Sequence, residues 1–194
     1  MAYADGSYWR GRTDLLYYQY LHFMIRCLGP EAHSIIDVGS GNTPYLDWFD
    51  WIPKRMSVDI KQPYSSAVVT GIQGDILKLD LARHDICTCL QVLEHVPDPG
   101  PFARRLLELG SLVLVSVPFE WPAGRTLGHV NDPVGMADLE QWFGRKPNYH
   151  LRVHEPFQPE CGTRLFALYD TANPKRRFGK ALRRKRRPLS EPVA

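Results

Sequence analysis

A short apolar run, His33-Ser34-Ile35-Ile36-Asp37-Val38, breaks off in Gly39-Ser40-Gly41. No other stretch narrows the choice of folds so far. The run reads as a buried strand entering a tight turn. Two glycines in that turn let the main chain approach a ligand where a Cβ would intervene.

The same pattern repeats along the chain. Residues 55–60 form a second strand candidate, and residues 68–72 a weaker third that leads into Gly74-Asp75-Ile76. Residues 85–90 and 111–117 are apolar runs of the buried type. Helical signals separate them. Tyr45 to Phe49 starts a helix; Asp98-Pro99 opens another, with Phe102, Leu106 and Leu109 on one face and Gly110 as its stop; residues 136–143 form a short third. Residues 7–28 have helical spacing, are unusually aromatic, and end at Gly29-Pro30. Residues 150–154 and 163–169 alternate without a helix between them, as in a hairpin. Strands alternating with helices predict an α/β, Rossmann-like, doubly wound, mostly parallel seven-stranded sheet with a C-terminal antiparallel strand.

A chain of 194 residues has room for one domain with a real core. Cys27, Cys87, Cys89 and Cys161 show no disulfide spacing. Cys87 and Cys89 lie in a buried-type strand, where they read as small apolar thiols; a metal-binding pair is the alternative. The setting expected is reducing and cytoplasmic. The N-terminus reads as lacking a signal peptide, because Asp5 and Arg10 interrupt it. The longest apolar stretch, residues 112–119, is far too short to span a bilayer.

The net charge of +3 hides an asymmetry. Residues 171–194 hold nine of the 24 Lys and Arg and one of the 21 acids, leaving 15 basic and 20 acidic residues in 1–170, a net −5. We expect a domain over 1–170, its first 30 residues a helical cap, and a basic disordered tail over 171–194.

In a doubly wound sheet, ligands bind at the carboxyl ends of the strands, beside the first turn. A dinucleotide fingerprint asks for a third glycine where this chain has Pro44. Asp37, two residues before Gly39, suits a sulfonium or ammonium better than a pyrophosphate. Asp59 ends the second strand about twenty residues later, where an acid can accept from ribose hydroxyls. Asp75 can accept from an adenine amine, with Ile76 against the ring. The competing reading is that such strand-end acids only cap turns.

Taken together, these residues resemble the class I S-adenosylmethionine (SAM)-dependent methyltransferases over about residues 33–170. Ile35 to Gly41 looks like the family's first motif, Ser57-Val58-Asp59 like its ribose-binding acid, and Gly74-Asp75-Ile76 like its adenine motif. Leu90-Gln91-Val92-Leu93-Glu94-His95-Val96-Pro97-Asp98-Pro99 resembles the segment after the fourth strand in small-molecule O-methyltransferases. Val113 to Pro118 is similar to the family's fifth strand. The resemblance implies SAM as cofactor, held by Asp37, Gly39, Gly41, Asp59, Asp75, Ile76 and Gln91. Two departures stand out: Thr43 replaces the first motif's third glycine, and the turn before the fifth strand is shortened to Leu109-Gly110-Ser111.

Methyl transfer from a sulfonium gains chiefly from alignment and desolvation, and an oxygen acceptor gains also from a base. His95 and Glu94 follow the fourth strand, and His129 follows the fifth. We assign these three as catalytic, His95 or His129 as general base; the alternative is that Glu94 and His95 only order the loop before Asp98. Ubiquinone-biosynthesis and small-RNA O-methyltransferases hold a divalent metal with an E-x-x-E-H motif, but the first acid here is Gln91, so no metal is assigned. The other histidines read as structural or exposed. Trp9, Tyr17, Tyr18 and Tyr20 form either an aromatic lid or a packed helix face. Residues 120–125 are a candidate acceptor wall.

The expected partner is a small-molecule or glycan acceptor carrying a hydroxyl. The cationic run 175–187 can adhere to an anionic membrane surface, placing the protein at the inner membrane face, or to nucleic acid; equally, it can be a solvated end. Two rival functions remain: an RNA methyltransferase, and a catalytically inactive SAM-fold binding protein, which Thr43 and Gln91 favour.

Overall fold

The computed structural model describes residue 9 and residues 12–189. Seven strands form one sheet: β1 Ser34–Val38, β2 Lys54–Asp59, β3 Val69–Gln73, β4 His84–Leu90, β5 Gly110–Pro118, β6 Tyr149–His154 and β7 Thr163–Asp170. Their order is β3-β2-β1-β4-β5-β7-β6. Strands β1 to β5 pair in parallel, and β7 inserts antiparallel between β5 and β6. This is the expected Rossmann-like sheet, with its order reversing between β1 and β4. Helices α1 Leu16–Leu28, α2 Pro99–Leu109, α3 Met136–Phe143 and α4 Lys180–Arg184 accompany it.

Alternation along the strands divides the core between two faces. Ile36, Val38, Cys87, Cys89, Val113 and Val115 point to the side covered by Leu106 of α2 and Leu139 of α3. Ile35, Ile86, Leu114, Phe166 and Leu168 point to the other, against Tyr17, Leu21 and Ile25 of α1. Cys87 and Cys89 are fully buried among apolar side chains. Gly110 passes directly from α2 into β5, and a Cβ there would lie 2.6 Å from that of Cys87.

Three sequence expectations are corrected. The helix expected over 7–28 is interrupted: Trp9 is helical, residues 12–15 form turns, and a helix restarts at Leu16, where the Glu155 carboxylate accepts from the amides of Leu16 and Tyr17. Residues 7, 8, 10 and 11 of that span lie outside the described residues. Tyr45 to Phe49 does not begin an α-helix: Pro44–Trp48 is a 3₁₀ turn, whose aromatic rings wedge beneath Tyr18 and His22.

Of the basic tail 171–194, expected to be disordered, residues 171–189 fold back on the domain; residues 190–194 lie outside the described residues. Asn148 Nδ2 donates to the carbonyls of Asn173, Pro174 and Arg176. Arg187 donates its amide to the Arg26 carbonyl at 3.0 Å, while Arg26 Nε donates to the Arg187 carbonyl at 2.7 Å. Composition measures only what a segment can bury within itself; here the body supplies the partners. Among the described residues, no helix is long and apolar enough to cross a membrane.

Candidate active site

Two clefts open at the carboxyl ends of the parallel strands. The larger, about 630 Å³, runs along the ends of β1, β2 and β3 and is lined by Asp59, Asp75, Ile76 and Phe102, among others. The smaller, about 380 Å³, lies on the other side of the glycine turn and is lined by Asp37, Glu94, Trp121, His129 and Arg164, among others. Gly39, Gly41, Gln91 and His95 line both. Every residue assigned from sequence therefore reaches one cleft or the other.

The two glycines do different work. Gly39 has φ +80°, and a Cβ on it would lie 2.4 Å from Val92 Cγ2, so its lack of a side chain serves packing. Gly41 has φ +52°, and a Cβ there would meet nothing within 4 Å; it faces open space. Thr43, in place of a third glycine, donates its hydroxyl back to the Ser40 carbonyl and is buried.

Asp37 is 2% exposed and accepts from Thr88 Oγ1 at 2.8 Å. Burial pushes its carboxyl up to about 7, against the lowering effect of its hydrogen-bond partners. Asp59 accepts from the amides of Gly41 at 3.0 Å, Lys61 at 2.7 Å and Gln62 at 2.9 Å. It thus ties the first turn to the end of β2, and a carboxylate with about four acceptor sites retains capacity for a ligand hydroxyl. Asp75 accepts from the Leu77 amide and pairs with Lys78 at 3.6 Å, so it shapes its own turn while facing the larger cleft.

The Gln91 backbone sits at φ +57°, and its side-chain amide donates to Ser116 Oγ, which is itself 2.6 Å from the Tyr17 hydroxyl. Tyr17 and Tyr18 are packed core residues and Tyr20 is 40% exposed, while Trp9 and Tyr18 also line the smaller cleft.

Glu94, His95 and His129 converge: one ligand atom from each lies within 4.8 Å of the others. The loop after β5 brings them together. The Glu94 carbonyl accepts from the amides of Val130 and Asn131, and Asn131 Nδ2 donates to the carbonyls of Leu93 and Val96. His95 and His129 stand edge to face with centroids 4.7 Å apart. His95 Nδ1 bonds the Gly128 carbonyl at 2.8 Å; a carbonyl only accepts, so Nδ1 carries the proton and Nε2 the lone pair. Burial lowers the His95 pKa, which keeps the ring neutral at physiological pH. His129 Nδ1 lies 2.6 Å from Asp132 Oδ2, an arrangement that again leaves Nε2 as acceptor. Glu94 is fully buried, neither of its carboxyl oxygens has a hydrogen-bond partner among the described residues, and burial pushes its pKa to about 8.

Sequence reading missed Arg164, Glu155 and Asp132. The signal for Arg164 was present, since it is the one basic residue of the otherwise mostly apolar β7; nothing local could link Glu155 to a helix start 139 residues away.

No family model matches the sequence, and no curated protein matches it. Solved structures do. The N-methyltransferase NodS from Bradyrhizobium japonicum, crystallised with S-adenosylhomocysteine, superposes with TM-score 0.63 at 14% identity, over 86% of this chain and 93% of its own. The methyltransferase domain of bacterial CtHen1 gives 0.59 at 16%, over 80% and 99%. The small RNA methyltransferase HEN1 gives 0.57 at 20%, over 80% of this chain and 25% of its own. These likenesses agree with the strand order, and the chain has the Rossmann-like methyltransferase fold.

Proposed function

We propose that this protein transfers a methyl group from SAM to a hydroxyl of a small-molecule or glycan acceptor. The observation that carries the reading is the junction of two clefts at Gly39, Gly41, Gln91 and His95. The larger cleft suits a nucleoside, with Asp59 for the ribose, Asp75 for the adenine amine and Ile76 for the ring. The open space over Gly41 suits close approach of the donor's amino acid end, and the buried Asp37 carboxyl suits its positive charge. When bound, SAM supplies a methyl on a cationic sulfur, displaced in line by the acceptor oxygen.

The chain's own part is orientation, exclusion of water and removal of a proton. His95 and His129 are the candidate bases, each with Nδ1 engaged and Nε2 available. Engagement of the remote ring nitrogen by a carbonyl or carboxylate is also how metal-ligating histidines are held. With the unpartnered Glu94 carboxyl, the cluster fits a divalent cation, although Gln91 leaves it short of one acid. Such an ion would supply Lewis-acid polarisation of the acceptor hydroxyl.

A second reading, RNA methylation, is favoured by the likeness to HEN1 and by the cationic run 175–187. Salt-dependent RNA binding that disappears when that run is neutralised would promote it. Adhesion of the same run to an anionic membrane surface would appear as flotation with anionic liposomes.

Calorimetric titration with S-adenosylhomocysteine tests the main reading. We expect single-site binding, weakened about tenfold or more in Asp59→Asn. Absence of affinity for both SAM and its product would overturn the reading. Normal turnover in both His95→Ala and His129→Ala, with SAM binding intact, would remove the base assignment alone.

A further inference from the structure

Arg164, the second residue of β7, carries a guanidinium that methyl transfer leaves unused. Its side chain is only 4% exposed, yet it lines the smaller cleft. The guanidinium lies between two aromatic faces, 5.2 Å from the ring centre of Tyr17 and 5.6 Å from that of Trp121. The carboxylate beside it belongs to Glu155, with Arg164 Nη1 3.8 Å from Oε1, beyond hydrogen-bonding distance. That carboxylate is already engaged by the amides of Leu16 and Tyr17 at 2.9 and 2.8 Å. Among the described residues, Arg164 Nη1 has no hydrogen-bond partner. A buried, permanently charged group with an unfilled donor is costly unless something else fills it.

The surroundings say what that would be. Trp121 neighbours both His129 and Arg164, its ring centre 6.0 Å from that of His129 and 5.6 Å from the Arg164 guanidinium. The planar guanidinium fork matches a carboxylate in shape and in hydrogen-bond number.

Resting on the methyltransferase reading, we infer that Arg164 binds a carboxylate of the acceptor, so that the substrate is a hydroxylated carboxylic acid with its hydroxyl at His95 and His129 and its acid group across Trp121. Arg164 is then a specificity residue, remote from the reacting atoms.

Matched probes test this. Binding of 3,4-dihydroxybenzoate and of its neutral isostere 3,4-dihydroxybenzamide is measured calorimetrically on protein saturated with S-adenosylhomocysteine, for wild type, Arg164→Gln and Arg164→Lys. Wild type is expected to prefer the carboxylate by about tenfold or more. Arg164→Gln should lose the preference with unchanged affinity for S-adenosylhomocysteine; Arg164→Lys, with charge but no fork, should fall between. Equal binding of the two probes, binding of neither, or a preference that persists in Arg164→Gln overturns the inference. So does binding of inorganic phosphate in place of the benzoate. Should Arg164→Gln not fold, the comparison of wild type with Arg164→Lys decides. Failure of S-adenosylhomocysteine itself to bind overturns the methyltransferase reading instead, and the two probes are then compared on the unliganded protein.

Discussion

The imidazole of His129 and the carboxylate of Asp132 meet at 2.6 Å, with both side chains almost wholly withdrawn from solvent. The pair engages Nδ1 of a ring that stands edge to face with His95, centroids 4.7 Å apart.

Asp132→Asn should therefore impair turnover more than binding. An amide presents either oxygen or nitrogen to the ring and no longer enforces the tautomer. Loss of a correctly held base lowers kcat by about a hundredfold or more, with little change in KM. Steady-state kinetics beside S-adenosylhomocysteine titration checks this; an equal fall in cofactor affinity would point to a structural role.

The pH dependence of donor binding should follow Asp37. Its carboxyl titrates at about 7 in the folded protein, above its ordinary value of 3.8. A cationic ligand favours the ionised form, so affinity for SAM should be full above pH 7 and fall as pH drops through it. Without ligand the sign reverses: a raised carboxyl favours the fold while protonated, and that contribution is lost as pH rises through about 7. Thermal stabilisation by SAM should accordingly be greater at pH 8 than at pH 6, and Asp37→Asn should flatten the difference.

Glu94→Gln separates the two uses of the cluster. At neutral pH the carboxyl is largely protonated, with a pKa of about 8, and an uncharged amide of the same shape should fold with stability within about 1 kcal/mol of wild type. A divalent cation must displace that proton, so Mn²⁺ uptake should rise with pH through about 8 in wild type and be lost in the variant. Calorimetry in two buffers of different ionisation enthalpy reads the proton release; uptake without it would contradict this account.

Gly39→Ala and Gly41→Ala should fail in opposite ways. The first drives a Cβ into Val92 at a backbone angle of +80° and should cost about 2 to 4 kcal/mol of stability. The second meets no neighbour and should cost the fold about 1 kcal/mol while weakening S-adenosylhomocysteine binding about tenfold or more. Denaturant melts and ligand titration on both variants distinguish the roles.

Strands β1, β4 and β5 were legible because each is an apolar run, largely buried and closed by a turn signal, whereas β2 and β3 are mixed in sequence and partly exposed, and were read chiefly from their place in the alternation. That Asp37, Gly41, Asp59 and Asp75 lie at one edge of the sheet was legible for a related reason: they sit at or near strand ends, where sequence position and spatial position coincide. The smaller cleft was only half visible. His95 and His129 were named, but nothing in a linear reading shows Asn131 stitching one loop to the other, or Glu94 left without a hydrogen bond. The start of α1 was missed because its partner, Glu155, comes from the far end of the chain. The C-terminal segment was misjudged because its hydrogen-bond partners, Asn148 and Arg26, belong to other elements.

Helix α1 is fastened at both ends: Glu155 grips its first amides, and Arg26, in its last turn, grips the main chain at residue 187. Tyr17, whose amide belongs to the first clasp, touches Ser116 by hydrogen bond and Arg164 by its ring face. The helix thus joins the cationic terminus, at one end, to Ser116 and Arg164 at the other.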